Sequence, residues 1–160
     1  MRRPADPAAP LPGALAFRRA RAEDVGRVME IEKEGFLHPW SRELIERELE
    51  HAWSQLLLAE AGEGGPVVGY IVFWLVHDEV HVLNVATALT ARRCGVGRAL
   101  MEAAEREGRR RGCRISTLEV RRSNEPALAL YRAIGYRQVG IRPNYYAEEQ
   151  EDAIVMVKTL

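Results

Sequence analysis

Residues 92–100 read RRCGVGRAL, with Gly95 and Gly97 two positions apart where a helical pattern of small and apolar residues begins. Glycine inside a helix costs about 1 kcal/mol relative to alanine, so this turn needs its backbone more than a side chain. Two readings fit. The glycines either tighten a strand-to-helix turn, or they bare the amides of residues 93–98 to an anion. In the second reading, the free N–H groups and partial positive charge of a new helix would attract a diphosphate. The string lacks the GK[ST] ending of a P-loop, and Leu100 stands where a dinucleotide fingerprint requires its third glycine. Cys94 lies in the same turn, where a thiol gains reactivity near a helix start. No His–carboxylate pairing in the sequence supports it as a nucleophile.

Four further groups carry potential chemistry. His77, Glu79 and His81 alternate and share one face of an extended strand. Successive members stand about 6.6 Å apart, which separates the histidines by roughly 13 Å, too far for one zinc with bonds near ~2 Å. No catalytic metal is expected. Glu119 lies near the end of the strand-like run ISTLEV, either as a solvated strand-end carboxylate or as a proton acceptor. Tyr131 has the helical spacing of a core residue, and its phenol, with a reference pKa near ~10, is also a proton donor at neutral pH. Tyr145 and Tyr146 occupy a polar stretch before the last apolar run, where they would pin a surface loop.

The elements that must position these groups are legible as apolar runs and breakers. Leu15 to Arg19 has the pattern of a first strand, and residues 22–35 have mixed helical spacing with Asp24 near the start. Pro39 stiffens the HPWS turn, Trp40 suits an anchor, and Ser41 can cap a helix bearing Leu44, Ile45 and Leu49. SQLLLAEA and PVVGYIVFWLV, separated by GEGG, predict a hairpin, and EVHVLNVAT predicts a third strand leading into the glycine turn. A helix from Val96, released at Gly112, precedes a strand over 115–120. Strand, helix, strand in this order favours a crossover with locally parallel pairing. ALALYRAI forms another helix, closed by Gly135, with Asn124 as a candidate cap; strands follow over 136–141 and 153–158. The prediction is one α/β domain with a mixed sheet over 15–160, preceded by a flexible leader at 1–14 that holds four prolines in its first twelve residues.

Composition narrows the class without naming a partner. The 160 residues are 47% hydrophobic and 29% charged, with 23 basic and 23 acidic side chains, as in a globular domain of no overall charge bias. Locally, residues 23–50 hold nine acids against four bases, and residues 92–114 hold eight arginines against three glutamates. These are solvated helix faces or the edges that receive a cationic and an anionic partner. Two cysteines make no disulfide framework, which fits a reducing compartment. No apolar run approaches the 18 or so residues of a membrane helix.

Arg92, Gly95 and Gly97 match the [Q/R]-x-x-G-x-[G/A] pattern of the GCN5-related N-acetyltransferases, which the chain resembles. Within them, residues 15–160 are similar to the bacterial enzymes that acetylate the N-terminal alanine of ribosomal protein S18. The supporting stretches are HPWS at 38–41, NVAT at 84–87, LEVRRSNEPALALYRAIGY at 118–136, IRPNYY at 141–146 and EDAIVM at 151–156. One departure stands beside the glycine turn: relatives place a proline-containing pair and an aromatic before it, whereas residues 88–91 read ALTA.

The resemblance implies a single α/β domain with a mostly antiparallel sheet, a locally parallel splayed strand pair and flanking helices. It implies acetyl-CoA as cosubstrate, no metal, and direct transfer without an acyl-enzyme. Its diphosphate would lie on Arg92, Arg93, Cys94, Gly95, Val96, Gly97 and Arg98. Asn124 would hold the CoA arm, and Val85 and Thr87 would offer main-chain groups to pantetheine and the thioester. Glu119 would be general base and Tyr131 general acid. Tyr145 would align the acceptor peptide, with Asn144 and Tyr146 bracing the loop. Apart from the resemblance, Glu79 on its strand is expected to face the acceptor as a backup base across the cleft from Glu119. The partner implied is S18 through its N-terminus in the cytoplasm, with no direct nucleic-acid binding. Other protein termini, a lysine, a small amine, or a non-catalytic acyl-CoA sensor remain compatible with these residues.

Overall fold

The long β-branched and aromatic runs become the middle of a seven-stranded sheet in the computed structural model, which describes residues 14–160. The strands are β1 (Leu15–Arg19), β2 (Ser54–Ala61), β3 (Val67–Val76), β4 (Glu79–Thr87), β5 (Ile115–Arg121), β6 (Arg137–Tyr146) and β7 (Glu151–Thr159). Among them run the helices α1 (Val25–Gly35), α2 (Arg42–Glu50), α3 (Val96–Arg110) and α4 (Glu125–Ala133). The sheet order is β1-β2-β3-β4-β5-β7-β6, antiparallel throughout except where β4 and β5 run parallel. The leader expected at 1–14 falls, up to residue 13, outside the described residues.

Nearly every residue of β2 and of the first seven in β3 is buried, because helices cover both sheet faces. A side chain at Gly69 would stand 2.8 Å from Val96 and 3.1 Å from Leu100, and one at Gly108 would stand 2.3 Å from Val80. These two glycines let α3 lie close against β3 and β4. Tyr70, the next residue along, points to the other face and bonds Glu32 of α1. Helices α1 and α3 therefore cover opposite faces. Trp40 packs against the core beneath the α1–α2 connection, as an anchor should. Ser41 Oγ accepts the Leu44 N–H at 3.2 Å, and Asn124 Oδ1 accepts the Ala127 N–H at 3.2 Å, so both expected caps are present.

Strand pairing opens the cleft. β4 and β5 pair from Glu79↔Ile115 to Val82↔Leu118 and no further. At that point β4 carries a bulge: Phe73 opposes Val82 but Val72 opposes Asn84, leaving Leu83 as the extra residue. Beyond it β4 stays with β3 as far as Thr87↔Gly69, while β5 stays with β7 as far as Arg121↔Ala153. The carboxyl ends of two parallel strands thus diverge, and Glu119 is the first residue of β5 past the last pair.

One element differs from the sequence expectation. Tyr145 and Tyr146 belong to the end of β6 instead of a loop, because β7 supplies ladder partners out to Tyr146↔Glu151. The register is irregular between Arg142 and Tyr146, where Asn144 takes a left-handed φ of 49°.

Candidate active site

The glycine turn presents main chain. Gly95 caps α3 with φ +78°, a conformation for which glycine has no steric penalty, and Arg93 is held in the same region at φ +62°. Among the described residues, no backbone acceptor meets the N–H groups of Gly95, Val96, Gly97 or Arg98. Several side chains turn elsewhere. An Arg92 Nη lies 3.5 Å from the Glu34 carbonyl at the end of α1, Arg98 pairs with Glu102 at 3.1 Å, and Val96 is buried against Gly69. Cys94 is half-buried, with Sγ 3.5 Å from the Arg92 carbonyl. At Gly97, a Cβ would lie 3.6 Å from Leu130 of α4 and 3.8 Å from Thr87 Oγ1. The end of β4, the start of α3 and the middle of α4 therefore converge, with half-buried Val85 two residues before Thr87.

Glu119 is held by two cationic or donor groups. Its Oε2 lies 2.8 Å from His81 Nε2 on β4, and its Oε1 lies 3.4 Å from Arg142 Nε on β6. The hydrogen bond from His81, helped by the charges of His81 and Arg142, outweighs burial and holds its carboxyl below the usual range. His81 packs edge-on to Trp74, whose indole N–H donates to Glu48 of α2 at 2.8 Å. Glu119 thus faces the α1/α2 side of the sheet.

The sequence expectation for Glu79 needs correction. It pairs with Ile115, four residues and about 13 Å back along β5 from Glu119, so it does not lie across the cleft. His81, two residues further on the same face, reaches Glu119 instead.

Tyr131 enters from α4, on the α3 side. It is buried, its ring centroid 5.9 Å from that of Tyr136, and its hydroxyl makes no hydrogen bond among the described residues. Burial, with a smaller contribution from Tyr146, pushes its pKa up to about 12, so the phenol keeps its proton at neutral pH. Tyr146 lies under the Arg121 guanidinium, 3.9 Å from the ring centroid, and burial pushes its pKa up to about 12 as well. Tyr145 is about half exposed beside it, ring edge to ring face.

A partly buried carboxylate, a protonated phenol and a helix start whose amides meet no backbone acceptor among the described residues surround a strand gap, and groups of these kinds suit acyl transfer. The family model for the acetyltransferase (GNAT) family matches residues 25–136. This chain belongs to the GNAT acetyltransferase family. It is therefore an acetyl-CoA-dependent N-acetyltransferase. A Bacillus subtilis (strain 168) protein with the provisional name of [ribosomal protein bS18]-alanine N-acetyltransferase is 36% identical over 146 residues, covering 91% of this chain and 95% of that one. The [ribosomal protein bS18]-alanine N-acetyltransferase of Escherichia coli (strain K12) is 33% identical over 135 residues, covering 83% and 89%. The crystal structure of the ribosomal-protein-S18-alanine N-acetyltransferase from Escherichia coli superposes with a TM-score of 0.82 at 29% identity, covering 91% and 94%.

In this GNAT acetyltransferase, the neighbours of Glu119 that sequence reasoning missed are His81 and Arg142. Along its own strand His81 reads only as one of the alternating set His77, Glu79 and His81. Its partner lies 38 positions away and is reached through the parallel register.

Proposed function

We propose that this enzyme acetylates the N-terminal alanine amine of ribosomal protein bS18. The observation that carries the acceptor assignment is 36% identity across nearly the whole chain to a protein named for that reaction, with a second such relative at 33%. Acetyl-CoA supplies an activated acetyl group, which passes to the amine as a C–N bond forms and the C–S bond breaks.

The residues divide the work. The amides at 93–98, with Asn124 at the α4 cap, hold the diphosphate and CoA arm. Main-chain groups of Val85 and Thr87, on the diverging end of β4, orient pantetheine and polarise the thioester carbonyl. One well-aimed donor of that kind is worth about 3 kcal/mol. Glu119, directly or through a water, takes one proton from the alanine ammonium and frees the nitrogen lone pair. Tyr131 gives its proton to the departing sulfur and is reprotonated by the second proton lost from nitrogen. The ammonium and thioester thus become amide and thiol, with one proton released to solvent. Tyr145 aligns the acceptor main chain, braced by Asn144 and Tyr146. Acids at 148, 149, 151 and 152 lie beside them, each paired with His38, Arg121 or Arg122, and a basic acceptor would compete for these carboxylates.

The test offers the purified protein acetyl-CoA, unmodified bS18, and peptides beginning with Ala, Ser or acetyl-Ala. Mass spectrometry should place acetyl on the free alanine terminus and none on the blocked peptide. Modification confined to lysine side chains rejects the acceptor.

A further inference from the structure

Glu32 is a buried carboxylate that the chemistry above does not use. It lies on α1, about 1% exposed, where burial pushes its pKa up against the opposing hydrogen bonds from Trp40 and Asn84. Three donors from three different elements converge on it. Oε1 accepts the Trp40 N–H at 3.0 Å, from the connection between α1 and α2. Oε2 accepts the Tyr70 hydroxyl from β3 and, at 2.8 Å, the side-chain amide of Asn84 from β4. Asn84 also donates to the Tyr70 oxygen at 3.1 Å, closing a triangle. Tyr70 is the one titratable side chain bonded to Glu32 among the described residues; Asn84 and Trp40 are uncharged.

The positions of these donors give the network its meaning. Asn84 is the residue immediately after the bulge at Leu83, and the β4–β5 ladder has ended two residues before it. It is therefore the first side-chain anchor of β4 on the diverging segment that carries Val85 and Thr87. Trp40 belongs to the connection that also carries His38. Each ring nitrogen of His38 meets a carboxylate of the β6–β7 turn, Glu148 at 3.0 Å and Glu149 at 2.9 Å. Two residues along α1, Glu34 accepts the Leu89 N–H at 3.2 Å, ahead of the glycine turn. Helix α1 thus braces the acetyl-bearing strand on one side and the acceptor-side loop on the other.

We infer that Glu32 is the positioning residue of the cleft, its carboxylate locking the bulged end of β4 to the α1–α2 connection so that donor and acceptor meet at a fixed separation. The inference rests on reading the β4/β5 gap as the acetyl-transfer site, but not on the identity of the acceptor. It differs from a general contribution to stability, because the same groups with donor and acceptor exchanged should serve equally well.

Asn84→Asp tests it. This change sets a second carboxyl at hydrogen-bond distance from Glu32. The pair can share one proton at low pH but repels once that proton leaves. Relative to wild type at each pH, kcat of the variant should fall by about tenfold or more as pH rises, since a misplacement of ~1 Å costs on the order of 100-fold. The Kd for CoA should stay within about threefold, because the diphosphate turn is not involved. Adding Glu32→Gln to Asn84→Asp exchanges the two polarities: the Gln oxygen accepts from Trp40 and its amide donates to Asp. The double variant should regain most of kcat and lose the added pH dependence. Rates are read as CoA thiol release with whichever amine the wild type acetylates, so a wrong acceptor and a wrong role for Glu32 give different results.

A wild-type pH profile in Asn84→Asp, or no recovery in the double variant while its thermal midpoint returns, overturns the inference. If Asn84→Asp does not fold, Tyr70→Phe decides: it removes one donor without adding charge. It should raise the acceptor KM or lower kcat severalfold with CoA affinity unchanged, and wild-type kinetics would overturn the inference.

Discussion

Replacing Gly97 with alanine should separate folding from cofactor binding. The added methyl would meet Leu130 at 3.6 Å and Thr87 Oγ1 at 3.8 Å, both ordinary van der Waals separations. Gly97 sits in the first turn of α3 without a left-handed φ, so alanine fits the backbone. Alanine is favoured over glycine by up to about 1 kcal/mol in a helix, and thermal stability should be unchanged or raised by roughly 2–4 °C. With the diphosphate on the amides of residues 93–98, as proposed, the added methyl should crowd it. Losing one hydrogen bond to a charged group costs about 1.5–3 kcal/mol, or about 10- to 100-fold in affinity. Calorimetry with CoA reads that loss directly. A kinetic control uses acetyl-pantetheine, which carries the thioester but no diphosphate: KM should rise for acetyl-CoA and stay constant for the truncated donor. Gly95→Ala gives the contrast, since φ +78° imposes a folding cost of about 1–2 kcal/mol. A folded Gly97→Ala protein with unaltered CoA affinity, or one that loses both donors equally, would refute the cradle.

Three other substitutions probe the remaining parts. Tyr131→Phe removes a hydroxyl that makes no hydrogen bond among the described residues, so the melting temperature should hold while kcat falls by about 100-fold; normal turnover would remove Tyr131 as the acid. In His81→Phe, Glu119 loses the bond that chiefly lowers its pKa, and burial then pushes that pKa up. A depressed carboxylate pKa contributes stability above its unfolded value, lost as pH falls through the folded value. The acid limbs of both activity and stability should therefore move to higher pH, and an unmoved limb in pH-rate profiles would deny the His81–Glu119 linkage. Gly69→Ala would force a methyl to 2.8 Å from Val96 and 2.9 Å from the Ala86 carbonyl, costing about 1–3 kcal/mol in denaturant unfolding; wild-type stability would contradict the close fit of α3.

The strands and helices were legible because their signals are local. Apolar runs gave β2 to β5, Ser41 and Asn124 announced their helices, and Gly112 and Gly135, with φ +80° and +106°, closed theirs. What escaped depends on register. The string EVHVLNVAT does not announce that Leu83 is extra, yet that single bulge ends the parallel ladder and leaves Glu119 beyond it. His81 meets Glu119, and Glu79 does not, only because Val82 pairs with Leu118. Tyr145 and Tyr146 read as a polar loop because β6 is an exposed edge strand whose Val139, Ile141 and Tyr145 stay open to solvent, and its register with β7 is irregular beyond Arg142. Glu32 in an amphipathic helix resembles its solvated neighbours Glu30 and Glu34; its burial follows from Tyr70 and Asn84, distant in sequence, arriving beneath it.

The most direct measurement is a structure of the enzyme with CoA and a peptide beginning with alanine. The diphosphate should lie on the main-chain amides of residues 93–98, with the sulfur at hydrogen-bond distance from the Tyr131 hydroxyl. The peptide amine should be linked to Glu119 directly or through one water. A diphosphate bound elsewhere, or an amine arriving on a side of the sheet remote from Glu119, would contradict the proposed transfer.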